Sequence, residues 1–352
     1  MIKPPENKNI YYADEALAQF AELLQNQAFS QIFVLVDENT HHHCLPILLQ
    51  KVPVLSDFEI LEIPAGEASK DVEVLQQLWL TLGDFAADRQ SLLVNLGGGV
   101  VTDLGGFLAA TYMRGIAFVN FPTSLLAMAD ASAGGKTGVN LAHFKNRVGA
   151  FADARLVGVC PMFLETLPRQ ELFSGFAEML KHGLIRDADH FQKLSQLDPT
   201  TTLPLALIQQ TIAIKQSVTE EDPLEQGLRK ILNFGHTVGH ALESCSWQLE
   251  QPLSHGHAVA LGMQVELDLS VRHAGLSPEE AKQGQEVLAQ WYAWPVWDCP
   301  AEEFKRYLKG DKKNQDGALR FSLLERLGQA TYNVAVSVEE VLESLQNFTH
   351  LA

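Results

Sequence analysis

Asn95-Leu96-Gly97-Gly98-Gly99-Val100-Val101-Thr102-Asp103 is the stretch on which the fold turns. It continues the apolar run Ser91–Asn95 and leads into a helical pattern, so it reads as the turn from a buried strand into a helix. Backbone N–H groups at Gly98, Gly99 and Val100 would face a phosphate there, at the positive end of a helix dipole. The spacing is not Gly-x-Gly-x-x-Gly, so the common dinucleotide fingerprint is absent. A glycine triplet alone would also serve as a plain tight turn. Two other strand ends add weight to a nucleotide. Asp37-Glu38-Asn39 closes the first strand, where Asp37 and Asn39 suit a ribose hydroxyl. Gly66-Glu67-Ala68-Ser69-Lys70 closes the second, where Glu67 and Lys70 would cap the other side.

Outward from this turn the chain has two grammars. Up to about residue 160, the runs Gln31–Asp37, Phe58–Ile63, Ser91–Asn95, Ile116–Phe121 and Arg155–Val159 read as strands. Between them, Asp14–Gln25 and Asp71–Phe85 carry apolar residues at helical spacing. Apolar strands separated by helices imply a parallel sheet with helices on both faces, and such sheets bind ligands beyond their carboxyl ends. After Leu167-Pro168 the strand pattern largely stops. Arg169–Ile185, Leu203–Thr219, Glu225–Glu243, His255–Ala274 and Pro278–Trp291 read as helices, and Ala318–Leu323 with Ala330–Val336 as a late hairpin. The expectation is a Rossmann-like α/β nucleotide domain over residues 1–166 and a mainly helical domain over 167–352. The active site is expected in a cleft between them, a favoured place for one.

The bulk properties narrow the class. A chain of 352 residues is long for one core, and 46% hydrophobic with 20% charged residues is ordinary for a globular protein. A net charge of −17 excludes a basic nucleic-acid surface and makes any local cluster of cations informative. No apolar run approaches the ~20 residues that span a bilayer, and no apolar leader opens the sequence. Cys44, Cys160, Cys245 and Cys299 form no Cys-x-x-Cys pair and read as free or buried thiols of a cytoplasmic protein.

The helical half holds a second constellation. In Asn233-Phe234-Gly235-His236-Thr237-Val238-Gly239-His240, two imidazoles stand at i and i+4 on one helix face. Ser254-His255-Gly256-His257 brings further imidazoles to the start of the next helix, and Glu178 offers a carboxylate from a neighbouring one. One carboxylate with two imidazoles suits a catalytic zinc with an open position, although other divalent ions fit as well. The triplet His41–His43 cannot share one face and reads as solvated. An isolated histidine pair is usually structural, but four histidines in this glycine-rich stretch point to a metal. His240, one turn from a ligand, is a candidate proton shuttle.

With these residues in place the chain resembles the 3-dehydroquinate synthases across nearly its whole length. The matching segments are Gly97–Asp103, Pro122–Asn140 (PTSLLAMADASAGGKTGVN), Lys145–Phe151 (KNRVGAF), Leu167–Leu184, Gly227–Glu243, His255–Met263 and Asp311–Asn314 (DKKN). The resemblance implies that Glu178, His236 and His255 hold zinc or cobalt. It implies that Asp103, Thr123, Ser124, Asp130, Lys136, Lys145 and the stretch Phe163–Thr166 line NAD. Arg114, Lys136, Asn146, Lys181, Lys215, Arg229, Asn233, His240 and one of Lys312 or Lys313 would grip the substrate, with acidic Glu225 beside Arg229. Lys136, Lys181, His240 and Glu225 are the groups expected in the chemistry. Two places depart from the family pattern: Asp130-Ala131-Ser132-Ala133 stands where Asp-Ser-Ser-Val is usual, and His257 where Glu is usual. The second change could add an alternative metal ligand.

The family's substrate is a seven-carbon keto acid phosphate, 3-deoxy-D-arabino-heptulosonate 7-phosphate. The implied course is transient oxidation by NAD, β-elimination of phosphate, reduction, ring opening and an intramolecular aldol closure. A cytoplasmic homodimer in aromatic amino acid biosynthesis is what the resemblance implies. Two rivals share much of the sequence logic. A glycerol-dehydrogenase-type alcohol dehydrogenase has a glycine turn and a helical metal domain but no need for dense cations. A sister cyclase acts on substrates without a carboxylate, so Lys215, Arg229 and Asn233 speak against it. A metal- or nucleotide-binding protein without catalysis is disfavoured by the intact Glu178, His236, His255 and Lys136.

Overall fold

The computed structural model describes residues 9–131, 135–141, 144–247, 249, 252–295, 301–309 and 319–348. The chain divides between Pro168 and Arg169 into two units. The first runs β1 (Ile10–Tyr12), α1 (Ala13–Asn26), β2 (Ile32–Asp37), α2 (Glu38–His43), α3 (Leu45–Lys51) and β3 (Glu59–Ile63). It continues with α4 (Val72–Asp84), β4 (Leu92–Gly97), α5 (Gly99–Thr111), β5 (Ala117–Pro122), β6 (Lys136–Leu141), β7 (Phe144–Phe151) and β8 (Leu156–Val159). Six of these strands form one sheet in the order β1-β8-β5-β4-β2-β3, with every pairing parallel.

The centre of that sheet explains its sequence. All six residues of β4 are buried, as are Phe33–Val36 in β2. A strand covered on both faces keeps apolar residues in succession rather than alternation. The parallel neighbours β2, β3 and β4 lead into the Asp37 segment, the Glu67 segment and the glycine turn, so those three loops gather at one edge. The edge strand β1 and the antiparallel hairpin β6–β7 are additions to the five strands expected. Exposure explains the hairpin's silence, since Lys145–Gly149 face solvent and show no apolar alternation.

The second unit is mainly helical. It comprises α6 (Arg169–Arg186), α7 (Ala188–Ser195), α8 (Leu205–Glu221), α9 (His236–Ser246), α10 (His255–His273), α11 (Pro278–Trp291) and α12 (Ala301–Lys309). A two-stranded antiparallel hairpin, β9 (Leu319–Arg326) with β10 (Gln329–Val336), precedes α13 (Val338–Gln346). Both α11 and α13 open on reciprocal capping boxes, Ser277 with Glu280 and Ser337 with Glu340, which satisfy the first free N–H groups. The core helix α10 is buried from Ala258 through Leu267, which accounts for its weak amphipathicity.

Two expectations change. The helix read across Glu225–Glu243 is broken: a 3-10 segment spans Leu228–Asn233, and α9 starts only at His236. Gly235 sits between them at φ 80°, a left-handed turn that stops one helix and starts another. The cysteines are not all free. Cys44 and Cys160 are free and buried, whereas Cys245 is disulfide-bonded. Cys-x-x-Cys spacing signals only local pairs, and Cys245 stands in none. Lys312 and Lys313, with the first residue of the expected late hairpin, lie outside the described residues. No helix among the described residues is long and apolar enough to cross a membrane.

One buried group gives the second unit an acid-sensitive element. His190 is 1% exposed and lies 2.8 Å from the hydroxyl of Thr211. Burial pushes its imidazole down to about 4. Its folded value therefore lies below its unfolded one, and the unfolded chain binds the extra proton between pH ~6.5 and ~4. Stability is expected to fall by up to about 3 kcal/mol across that window. Urea unfolding of His190→Asn between pH 7 and 4 should show a flatter profile than the native chain; an equal slope would refute the assignment.

Candidate active site

At the end of β4, Gly98 caps α5 with extended backbone and no side-chain bond to the helix start. The three glycines serve different ends. A Cβ at Gly97 would lie 2.4 Å from the Cβ of Val101, so that position must stay bare for the turn to close. A Cβ at Gly99 would meet nothing within 4 Å, and one at Gly98 would only approach Ser124 Oγ at 3.4 Å. Open room therefore fronts the helix start, where a phosphate can meet backbone donors. Those residues fit the expected dinucleotide.

The other expected cofactor residues have mixed surroundings. Lys70, 4% exposed, is ion-paired with Asp103. Glu67 accepts a bond from Asn140 at 2.8 Å, and the Asn140 side chain accepts from the Asn146 backbone at 2.9 Å. Asn140, which sequence reasoning passed over, thus ties the hairpin that carries Lys136, Lys145 and Asn146 to the Glu67–Lys70 turn. Thr123 donates its backbone N–H to Gly97 at 3.0 Å, and Ser124 Oγ caps Ala127. Asp130 lies in a π-helical turn, Ala127–Ala131. Asp37 is engaged in capping α2 through Thr40, while Asn39 is exposed. Phe163 is 1% exposed and belongs to the core, whereas Thr166 is exposed. Arg114 and Asn146 sit at φ 67° and 51°, strained values that non-glycine residues keep only where the fold imposes them.

In the second unit Glu178 stands mid-way along α6, and His236 and His255 are the first residues of α9 and α10. Their Nε2 atoms lie 3.6 and 3.7 Å from the same Glu178 oxygen. One ligand atom from each falls within 4.8 Å of the others. Glu178 is 1% exposed, and neither of its oxygens has a hydrogen-bonded partner. Charge is what faces it: Lys181, one turn on, forms an ion pair with the second oxygen. Burial alone would raise the Glu178 carboxyl, but Lys181 and the two imidazoles hold it well below the carboxylate range. Burial and Lys181 push His236 well below the usual imidazole value. For His255 burial is outweighed by Glu178 and Glu243, which lift it to about 9. A buried anionic carboxylate flanked by two imidazoles is the donor set that a divalent zinc-like ion takes.

Close packing fixes these three helices. A Cβ on Gly262 of α10 would lie 2.1 Å from the carbonyl of Gly235. One on Gly256 would lie 2.1 Å from the carbonyl of Ser174 in α6. Bare backbones thus meet beside each ligand, and no side chain can wedge the helices apart. Glu266 of α10, fully buried, accepts the N–H of Gly235 at 2.6 Å and of Val238 at 3.3 Å.

His240, exposed on α9, has its ring 5.2 Å from that of His236. His257, where the family usually has Glu, faces a backbone carbonyl. Its Nε2 lies 2.9 Å from the Ala293 carbonyl, and it joins none of the His/Glu groups found among the described residues.

Arg229 is 5% exposed and donates to the Pro223 carbonyl at 2.8 Å. It does not share a continuous helix with His236, contrary to the sequence reading. Instead Asp222 organises the loop, accepting N–H bonds from Gln226, Gly227 and Arg229 at 3.0, 2.7 and 3.1 Å. Burial would raise the Asp222 carboxyl, but those donors together with the Arg229 charge keep it lowered. Glu225, at φ 59°, accepts from Asn233 at 3.0 Å. Lys215 is 6% exposed in α8. Asp222, Glu243 and Glu266 were not singled out by sequence. Helical spacing could have found the last two, since Glu243 follows His236 by seven residues and Glu266 follows His255 by eleven.

Known proteins resemble this chain along most of its length. The family model for the 3-dehydroquinate synthase N-terminal region matches residues 60–174, and that for its C-terminal region matches 175–314. A 3-dehydroquinate synthase from Parabacteroides distasonis is 41% identical over 93% of this chain and 94% of its own. Among solved structures, a 2-deoxy-scyllo-inosose synthase complexed with carbaglucose-6-phosphate, NAD+ and Co2+ superposes with TM-score 0.84 at 23% identity, covering 96% of both chains. A 2-epi-5-epi-valiolone synthase from Streptomyces hygroscopicus with NAD+ and Zn2+ bound gives 0.81 at 25% identity, covering 97% of this chain and 96% of its own. The chain belongs to the 3-dehydroquinate synthase family and is an enzyme of that activity, a phosphate-eliminating lyase.

Proposed function

We propose that the chain converts 3-deoxy-D-arabino-heptulosonate 7-phosphate into 3-dehydroquinate and phosphate. NAD is assigned to the start of α5 in the first unit, and zinc or cobalt to Glu178, His236 and His255 in the second. The observation that carries this is Glu178: a buried carboxylate with Lys181 on one oxygen and two imidazole nitrogens at 3.6 and 3.7 Å from the other. Relatives of this fold that hold NAD+ with Co2+ or Zn2+ support the pairing.

When bound, NAD would supply reversible hydride acceptance and the metal Lewis-acid polarisation of a substrate hydroxyl. The chain's own residues do the rest. Arg229 offers a planar fork to the substrate carboxylate, set by the Asp222 loop, while Glu225 orients Asn233 for a hydroxyl. Lys136, Lys145, Arg114, Asn146 and Lys215 supply point charges and donors for the remaining anion and hydroxyls. Lys181 balances Glu178 and presents a proton donor beside it. His240, exposed near the metal ligands, moves protons between substrate and solvent. The enzyme is expected to work in the cytoplasm as a homodimer, which light scattering of the purified protein checks.

The decisive assay follows phosphate release and NADH absorbance together, with and without added NAD. Phosphate is expected to accumulate while NADH absorbance stays flat, because the hydride returns within one turnover. A stoichiometric rise in NADH would instead make the chain a net dehydrogenase.

A further inference from the structure

We infer that Glu243 is a positioning residue for the metal centre: from α9 it holds the His255 ring so that Nε2 faces Glu178. The inference rests on the assignment of a metal to Glu178, His236 and His255.

Glu243 Oε2 lies 3.5 Å from His255 Nδ1, while His255 Nε2 lies 3.7 Å from Glu178. The two ring nitrogens are therefore committed in opposite directions. A carboxylate at Nδ1 keeps the proton on that nitrogen, leaves the Nε2 lone pair free for a cation and makes it more basic. Glu243 is 8% exposed, so little water competes for its oxygens. His236 has a weaker counterpart, the Phe234 carbonyl 3.2 Å from its Nδ1. That acceptor is two residues away, whereas Glu243 reaches from one ligand helix to the other.

The reach is reciprocal. Glu243 on α9 holds the first residue of α10, and Glu266 on α10 holds the N–H groups of Gly235 and Val238 at the start of α9. Each ligand helix thus carries the carboxylate that fixes the other's leading end. A second use of the same atoms competes with this reading. His240, Glu243 and His255 also place ligand atoms within 4.8 Å of one another, which would make Glu243 a ligand of a second ion. Counting ions separates the two.

The experiment strips the full-length protein with a chelator and titrates cobalt and zinc against a competing chelator. Native chain, Glu243→Ala and Glu243→Gln are compared, with metal-free melting temperatures and cobalt absorption spectra. Expected are one ion per native chain and roughly 10- to 100-fold weaker binding in Glu243→Ala. Glu243→Gln, which keeps an acceptor oxygen, should recover part of the affinity, and metal-free melting temperatures should stay close to native. The cobalt bands should shift in Glu243→Ala, as a reoriented imidazole requires. Native-like affinity in Glu243→Ala would overturn the inference. So would an affinity loss that tracks the metal-free melting temperature with no rescue by Gln. Two ions per native chain, one lost in Glu243→Ala, would make Glu243 a ligand. A native chain that takes up no ion would overturn the metal assignment itself and the inference with it.

Discussion

Glu178→Gln is expected to lose catalytic turnover by roughly a thousandfold or more, because several kcal/mol of charge stabilisation at ~1.36 kcal/mol per decade disappear with the metal. A carboxamide keeps the shape of the side chain but not its charge, and a neutral oxygen cannot draw a divalent ion against two imidazoles. The same change should destabilise the metal-free protein. Lys181 is 1% exposed and ion-paired with Glu178, so removing one partner leaves a buried cation uncompensated. Breaking a buried pair on one side costs about 3–5 kcal/mol. The double variant Glu178→Gln with Lys181→Met removes both charges and should regain most of that stability while staying inactive. Metal content, turnover and urea unfolding of the metal-free forms check both halves. Native-like metal content in Glu178→Gln would refute the ligand assignment, and a double variant no more stable than the single one would refute the pairing.

Why the two sites differ in legibility follows from where their information sits. The glycine turn and the metal residues are local: a strand end with three glycines, and histidines at the first position of a helix. Local patterns survive in sequence. The same holds for β2 and β4, whose unbroken apolar runs announce a doubly covered sheet. The β6–β7 hairpin carries three expected site residues yet shows no strand pattern, because its outward face is solvated and its contacts to Glu67 run through Asn140. Carboxylates that act across helices, Glu243 and Glu266, lie at helical spacing from His236 and His255, but their partners sit on the other helix, which spacing along one helix does not show. The break at Gly235 is the clearest case. Gly227–Ser246 has helical apolar spacing throughout, and only the left-handed φ at Gly235 with the Glu266 carboxylate beneath it divides the stretch. Glycine in a helical pattern permits that break but does not announce it.

The break matters for Arg229, whose expected contribution now rests on a loop rather than a helix face. Arg229→Ala should lower kcat/KM roughly 10- to 150-fold, the worth of charge-assisted hydrogen bonds of ~1.5–3 kcal/mol. The guanidinium is 5% exposed, and one of its nitrogens is spent on the Pro223 carbonyl, which fixes the plane in which the others point. A substrate carboxylate meeting that plane gains two parallel bonds, and an ammonium cannot reproduce them, so Arg229→Lys should recover only part of the loss. Asp222→Asn should weaken the same parameter without touching the guanidinium, because the Asp222 charge gathers three N–H groups of the loop that presents Arg229. NAD affinity should stay near native in all three variants, since the cofactor is assigned to the first unit. Measuring kcat/KM beside NAD affinity decides the matter. Native-like turnover in Arg229→Ala, or a loss confined to NAD affinity, would remove Arg229 from the carboxylate site and return the anion to the lysines.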